Sequence, residues 1–263
     1  MLTEVKNQLR VSLLSIKYSA IRAMVNKKSF LFSVLLMILS NASFLVQWIV
    51  VLSVSGDTNL SMKEILLVWG FVAVSFGLAN IMFGGAMFIP YYIEDGKLDA
   101  YLVQPKSVLL NILNSHCSMS AFGDLLYGYI VIMIVSPSIK TFIYITLFSI
   151  FGSVIYTSFI VILHSLIFFS LNFRELSNTL IRIPLSFATY PESIFRGFVK
   201  ILLYTVFPVA FIVYLPVRFI LTNNILILLA VAFFAFVICI LSFIIFNAGL
   251  KRYSSTNLMG ART

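Results

Sequence analysis

The chain has 263 residues, of which 61% are hydrophobic and 10% are charged, and its mean hydropathy is +1.06. These values exclude a soluble domain, which would be about half apolar and a quarter charged, and the 26 Phe and 12 Tyr exclude a disordered chain, so the sequence indicates an integral membrane protein. The net charge of +9 then reflects basic residues kept on the cytoplasmic side of a membrane, and it is not a sign of nucleic-acid binding.

The first 28 residues predict an amphipathic helix that lies in the membrane interface. Its flanking basic residues, Lys6, Arg10 and Lys17, would meet anionic headgroups while the apolar stripe enters the acyl chains. The alternative is a soluble helix packed on another chain. We assign residues 1–28 to this helix and residues 29–263 to one membrane domain. The stripe consists of Leu2, Val5, Leu9, Leu13, Ile16, Ala20 and Ala23.

Six apolar segments predict membrane-spanning helices, because about 20 residues rising about 1.5 Å each cross the hydrocarbon core. The fifth of them contains Pro208 and Pro216, whereas the others are uninterrupted. The linkers are poor in strand patterns, so the fold class is an all-α integral membrane protein. The segments are 30–54, 65–89, 119–135, 142–171, 201–221 and 225–246.

The basic residues are unevenly distributed between the linkers. With the N-terminus inside and six alternating spans, only Lys63, Lys140 and Arg218 of the 18 basic residues fall outside. The positive-inside rule therefore predicts that both termini are cytosolic.

Few residues could carry chemistry inside the membrane. The sequence has no phosphate-binding loop motif, and His116 and His164 are too far apart to suggest a metal pair. Asp124 lies near the start of the third span, where capping of the helix or pairing between subunits is the first interpretation and a substrate role the second. Arg182 is a further candidate, and we interpret His164 as a polar helix residue with a local partner.

The loop after the second span, residues 90–106, is the most informative stretch of the sequence. Pro90 and Pro105 bound a segment that combines apolar residues at helical spacing with acidic ones. An apolar knob with an acidic rim next to the membrane predicts a docking element for a cytosolic partner, and a plain interfacial turn is the alternative. The candidate docking residues are Glu94, Asp95, Gly96, Lys97, Leu98, Asp99, Tyr101 and Leu102.

Four sequence motifs in register resemble the permease subunits of bacterial type-2 ABC exporters, in the branch labelled ABC-2 family transporter permease. Each motif alone is moderately specific, and together they cover nearly the whole chain in order. They are E-D-G-K-L-D-A-Y-L-V-Q-P-K-S at 94–107, A-F-G-D-L-L-Y-G at 121–128, Y-P-E-S-I-F-R at 190–196 with F-P-V-A-F-I-V-Y-L-P at 207–216, and N-A-G-L-K-R-Y-S-S at 247–255.

The resemblance implies a role for each of these parts. The N-terminal helix would be the family's interfacial elbow, and residues 96–102 would be the cytoplasmic coupling helix that docks on the ATPase. Two such subunits, identical or related, would form a dimer in the bacterial cytoplasmic membrane around a translocation path. Separate ABC ATPase chains would hold ATP and Mg, so this chain would have no cofactor of its own and would not be an enzyme.

The resemblance also implies a different path before the last span. Residues 176–191, with Arg182, would be a short fifth span, and 201–221 would enter the membrane and return as a re-entrant hairpin. This arrangement moves Arg196 and Lys200 to the outside, but it leaves both termini inside. The sequence leaves the two arrangements open.

Taken together, the sequence predicts the permease subunit of an ATP-driven exporter of a lipophilic or amphipathic small molecule. Leu98, Tyr101 and Leu102 would be the knobs that contact the ATPase, and the nearby acidic residues would steer it. The alternatives are a non-transporting membrane scaffold or immunity-type protein that binds a partner through the same loop, and an ion-coupled carrier that depends on Asp124.

Overall fold

The computed structural model describes residues 2–54 and 61–254, and of residues 2, 3 and 5 only the backbone. Leu2 and Val5 of the predicted stripe and Ser255 of the tail motif therefore lie outside what is described. The described part is helical and contains no β-strand, which confirms the all-α class. Its α-helices are α1 (Leu2–Ala23), α2 (Lys27–Val54), α3 (Met62–Met82), α4 (Ile89–Glu94), α5 (Asp99–Leu102), α6 (Val108–Leu113), α7 (Ala121–Val135), α8 (Ile139–Ser165), α9 (Phe173–Ala188), α10 (Gly197–Thr205), α11 (Leu215–Thr222) and α12 (Ile225–Leu250).

Four helices of the described part are long and apolar enough to cross a membrane: α2, α3, α8 with its extension to Phe168, and α12. A further apolar pair, α10 and the helix Ala210–Thr222, is bent by 79°, and counting it as one span gives five. α7 corresponds to the predicted third span, but it has only 15 residues. The chain is therefore a multi-pass membrane protein, while the number of six spans stays a prediction.

α3 is the central helix of the bundle. Of its 18-residue apolar stretch, 72% is buried inside the protein, against 17% of the corresponding stretch of α2 and 22% of that of α12. Glycines bring α7 close to it. A Cβ added to Gly70 would lie 2.2 Å from Ile132 Cγ1, and one added to Gly128 would lie 2.7 Å from the Gly70 carbonyl oxygen. The hydrophobic effect does not drive association of helices within lipid, so these helices associate through close packing, which small residues permit.

The outer faces of α2 and α12 are apolar and uncovered. Leu35 and Leu39 on α2 are 58% and 65% exposed, and Phe233 and Phe236 on α12 are 70% and 65% exposed. Such faces suit contact with lipid or with another membrane helix.

α1 forms over the predicted stretch and packs on the bundle through a polar face. Ser19 Oγ donates a hydrogen bond to the carbonyl of Asn114 at 2.9 Å. The predicted stripe residues Leu9 and Leu13 are 59% and 65% exposed. An apolar stripe turned away from the protein is what an interfacial helix needs, and the interfacial position itself stays a prediction.

The bundle has two ends. We refer to the end at which α1 lies as the α1 end, and to the opposite end, at which α10 and α11 lie, as the hairpin end. At the α1 end, α1 lies against the segment 83–120, and Arg174 at the start of α9 forms an ion pair with Glu94. At the hairpin end, the rings of Trp48 and Tyr190 lie with their centroids 5.8 Å apart. Because Tyr190 directly follows α9, this helix runs from one end of the bundle to the other.

α10 and α11, joined by the π-helical turn Ala210–Tyr214, form a hairpin rather than a straight span. Lys200 Nζ and Arg218 Nη2 bind the same Glu192 carboxylate, at 2.8 and 2.9 Å. A straight helix would place positions 200 and 218 about 27 Å apart. The segment over 201–221 is therefore bent, as its two prolines suggest, and both arrangements, a broken fifth span and a re-entrant hairpin, stay predictions.

Candidate functional site

The predicted docking loop is a tight turn between two short helices at the α1 end. α4 ends at Glu94, α5 begins at Asp99, and Gly96 between them has a φ of 68°. This left-handed conformation favours glycine, because a Cβ would crowd the backbone. The Leu98 amide donates to the Tyr92 carbonyl at 3.2 Å and closes the turn. We refer to residues 89–103 as the 89–103 segment.

Leu98 is not the exposed knob that the sequence predicts, because its side chain is 0% exposed and belongs to the main core. It anchors the segment to the bundle. Tyr101 is half-buried, and its ring lies edge-on to Tyr92 with centroids 5.3 Å apart. The exposed apolar surface is formed by Leu102, 44% exposed, and Val103, 84% exposed. Sequence reasoning missed Val103 because it lies just beyond the helical repeat.

Two of the three predicted acidic residues form ion pairs within the chain. Glu94 pairs with Arg174 in the first turn of α9, and its side chain is only 21% exposed. Asp95 pairs with Lys97 at 3.0 Å, and the Lys97 ammonium lies 3.7 Å from the centroid of the Tyr91 ring. The Glu94 pair ties the 89–103 segment directly to α9.

The third acidic residue, Asp99, faces the end of α12. Burial, followed by a hydrogen bond with Asp99 and the charge of Asp99, raises the pKa of Tyr253 to about 12. The preceding residue, Arg252, places its guanidinium 4.8 Å from the Phe169 ring centroid. The predicted acidic rim is thus engaged inside the chain, and it links the segment to α9 and α12 instead of standing free.

Asp124 lies in the first turn of α7 and pairs with a residue of its own chain. Asn41 Nδ2 on α2 donates to Asp124 Oδ1 at 2.7 Å, and both residues are 8% exposed. The position agrees with the favourable placement of an acid at a helix N-terminus. Pairing between subunits is not required to explain the buried carboxyl group, because Asn41 supplies its hydrogen bond.

His164 and Arg182 come together at one cavity of about 1020 Å³ between α8, α9 and the residues before α4. His164 is 1% exposed, and its Nδ1 lies 2.9 Å from the carbonyl oxygen of Ala86. Its Nε2 has no hydrogen-bond partner among the described residues, and the side chain of Asn178 lies near the ring. The expected local partner of His164 is therefore the Ala86 carbonyl.

Four further polar residues of α9 line this cavity, and sequence reasoning did not name them. They share one helical face with Arg182, at spacings of three and four residues, so the periodicity of the polar positions could have found them. They are Glu175, Asn178, Thr179 and Ser186.

Three of the four basic residues of α1, which are Lys6, Arg10 and Lys17, are the predicted interface residues, and all three are exposed. Beside them, a groove of about 580 Å³ separates α1 from the chain after α5, and Arg22 and Lys106 line it. Arg22 Nη2 donates to the Ser115 carbonyl at 2.7 Å, which fixes the end of α1 against the bundle. The contact of Lys6, Arg10 and Lys17 with lipid headgroups stays a prediction.

In the described part of the chain, no three His, Cys, Asp or Glu side chains are grouped so that they could hold a metal ion. A family model described as "ABC-2 family transporter protein" matches residues 37–257, which include the 89–103 segment and all of α9. No curated protein and no solved structure was found to match the chain.

Proposed function

Since the chain belongs to the ABC-2 family of transporter proteins and is a membrane permease of an ABC transporter, we propose that it exports a lipophilic or amphipathic small molecule. Permeases of this family are transport components that are not themselves catalytic and generally work with ATPase subunits. In this proposal ATP and Mg are held by separate cytosolic ATPase chains, and a second permease, identical or related, completes the path in a bacterial cytoplasmic membrane.

The observation that carries the proposal is the attachment of the 89–103 segment to α9. The segment is anchored by buried Leu98, is paired with α9 through Glu94 and Arg174, and exposes two apolar residues after α5. A push on the exposed side would therefore reach α9 through the ion pair. This is the connection that a coupling helix needs, because binding of a partner shifts a conformational equilibrium only through contacts that differ between the two states.

We propose that the α1 end faces the cytosol. Under the hairpin arrangement the basic residues at the other end are Lys63, Lys140, Arg196, Lys200 and Arg218, and most of the 18 Lys and Arg lie at the α1 end or in the tail that follows α12. The positive-inside rule then supports cytosolic termini and a cytosolic 89–103 segment.

The proposed docking surface is centred on Leu102 and Val103. Both are exposed, and the Asp95–Lys97 ion pair in the preceding turn adds one negative and one positive charge to the segment. Leu98, Gly96 and Tyr101 shape the turn from inside.

The test is co-purification of an ATPase in mild detergent. We expect the wild-type chain to retain the ATPase and the double variant Leu102→Asp with Val103→Asp to lose it, because two charges would be buried without partners at the contact. The matched control is Ile139→Asp, which changes an apolar residue that is 81% exposed at the hairpin end.

Retention of the ATPase by the double variant would contradict the docking surface. Binding of an ATPase without stimulation of its activity by any amphipathic compound in the reconstituted complex would contradict transport and would indicate a membrane scaffold instead.

A further inference from the structure

We propose that the cavity beside α9 binds the anionic group of an amphipathic cargo, with Arg182 as its positive charge and the Asn178 amide, oriented by His164, as a neutral hydrogen-bond donor. The inference rests on the proposed function, since it takes this cavity to lie on the path of the cargo. It adds a site and a chemical class that transport alone does not supply.

α9 presents a polar face where a membrane helix would normally be apolar. Glu175, Thr179, Arg182 and Ser186 follow each other at spacings of four, three and four residues, and all four are exposed. Their opposite face, with Ile181 among its members, is buried in the bundle. Under the hairpin arrangement, in which α9 crosses the membrane, these side chains need an aqueous path or a partner, because lipid offers them no hydrogen bonds.

Arg182 has no ion pair among the described residues, whereas two other basic residues in this part of the chain are paired. Arg174 pairs with Glu94, and Lys200 pairs with Glu192. The acid nearest to Arg182 along its own helix is Glu175, about 10 Å away along the helix axis, so it does not neutralise the guanidinium. The guanidinium therefore has no ion pair, while the lining as a whole carries one positive charge on Arg182 and one negative charge on Glu175.

His164 adds a directed, neutral polar atom to the same cavity. Its Nδ1 faces the Ala86 carbonyl oxygen, which can only accept, so this nitrogen carries the hydrogen in the neutral ring. Nε2 is then an acceptor, so it does not bind an anion itself. It can accept from the nearby Asn178 amide and leave the second N–H of that amide for the anion. With the side chain 1% exposed, the imidazole is held in place and cannot turn to the solvent.

The size and lining of the cavity favour an amphipathic molecule over an inorganic ion. Its volume of about 1020 Å³ is that of a small-molecule site, since such sites typically measure about 300–1000 Å³. Met87, Leu185 and Phe187 form apolar walls next to Arg182. A carboxylate, sulfonate or phosphate would take the guanidinium in a charge-assisted contact, while the apolar body would contact these walls.

The experiment uses the purified full-length chain in lipid nanodiscs, together with whatever subunits co-purify. The probes are anilinonaphthalene sulfonate and phenylnaphthylamine, two fluorescent molecules that differ by the sulfonate group. We expect Arg182→Gln to weaken binding of the sulfonate about tenfold or more and to leave the uncharged probe unchanged. Arg182→Lys should keep most of the sulfonate affinity, and Arg196→Gln, which removes an exposed charge outside the cavity, should change neither probe.

Equal sulfonate affinity in wild type and Arg182→Gln would overturn the proposal, and so would an equal loss of both probes. If Arg182→Gln does not fold, the second measurement is displacement of the sulfonate probe from the wild-type chain. We expect dodecanoate to displace this probe and dodecylammonium to leave it bound. Equal displacement by both compounds would overturn the proposal. Co-purification of an ATPase, measured on the same samples, separates this outcome from failure of the transporter proposal.

Discussion

At the scale of single residues, the hydrogen bond from Asn41 to Asp124 joins two apolar helices. Only 17% of the 18-residue apolar stretch of α2 is buried inside the protein. Few contacts therefore hold α2 in its position beside α7. Both partners of the 2.7 Å hydrogen bond are buried, and either would lose its polar contact if the other were removed. Asp124 is thus best explained as a residue that positions α2.

We expect Asp124→Leu to destabilise the protein by about 1–2 kcal/mol, because the Asn41 amide would be left without its acceptor. Asp124→Asn, which can still accept through its amide oxygen, should cost less. Thermal unfolding in one detergent, followed by fluorescence, would compare the two variants. Equal unfolding temperatures for both would contradict the positioning role.

Leu98 and Leu102 give a second prediction at this scale, since they have the same side chain in opposite environments. Leu98→Ala should destabilise the protein by about 2–5 kcal/mol because it opens a cavity in the core, whereas Leu102→Ala should change stability by about 0.5 kcal/mol or less. The same thermal unfolding measurement applies. A larger loss from Leu102→Ala would show that the anchor has been assigned to the wrong residue.

At the scale of elements, two ionic contacts connect parts of the chain that lie far apart in sequence. Glu94 and Arg174 join the 89–103 segment to α9. Glu192 joins α10 and α11 through Lys200 and Arg218, and Tyr204 donates a further hydrogen bond to it at 2.7 Å. The first contact links a proposed docking element to a proposed cargo helix, and the second holds the hairpin in its bent shape.

The Glu94–Arg174 pair should affect transmission more than stability, because exposed ion pairs contribute only about 0–1 kcal/mol. We expect Arg174→Glu to reduce cargo-stimulated ATP hydrolysis several-fold while the ATPase stays bound. The double variant Glu94→Arg with Arg174→Glu should recover much of the stimulation. Stimulation that survives in Arg174→Glu would mean that the signal reaches α9 by another contact.

The hairpin should loosen in acid. Burial alone would raise the pKa of Glu192, but the hydrogen bonds from Lys200 and Tyr204 and the charges of Arg218 and Lys200 hold it below its usual value of 4.5. A carboxyl group whose pKa is lowered on folding stabilises the fold above its usual pKa, and this stabilisation is lost as the pH falls through the lowered value.

Wild type should therefore unfold at a higher temperature than Glu192→Gln at pH 7, and the difference should shrink as the pH drops below 4.5. Glu64 and Glu192 line one cavity at the hairpin end. Glu64 is present in both proteins, so the comparison isolates the carboxyl group of Glu192. A difference that does not depend on pH would show that shape rather than charge holds the hairpin.

At the scale of the whole molecule, the distribution of charge and the two ends of the bundle lead to one orientation. Single-cysteine variants in a background without Cys117 and Cys239 test it. We expect a membrane-impermeant maleimide applied to intact cells to label the Arg196→Cys variant and to spare the Lys17→Cys variant, which should react only after the cells are opened. The reverse pattern would contradict cytosolic termini.

The sequence predicted the helical class, α1 and the positions of the long apolar helices, because these depend on local hydropathy and periodicity. It did not predict that Leu98 is buried or that Glu94 pairs with Arg174, because both depend on elements far apart in the chain. The bend near 201–221 could not be predicted for the same reason, because it is seen in contacts of Glu192 with Lys200 and Arg218, which lie far apart along a straight helix.

The glycine contact between α3 and α7 limits how this protein can move. With Gly70 and Gly128 backbone to backbone, a shift along the shared axis would drive Ile132 or the Gly70 carbonyl oxygen into the opposite helix. α3 and α7 should therefore move as one rigid body. If the permease opens and closes, we expect α3 and α7 to move together and the conformational change to occur at contacts other than theirs.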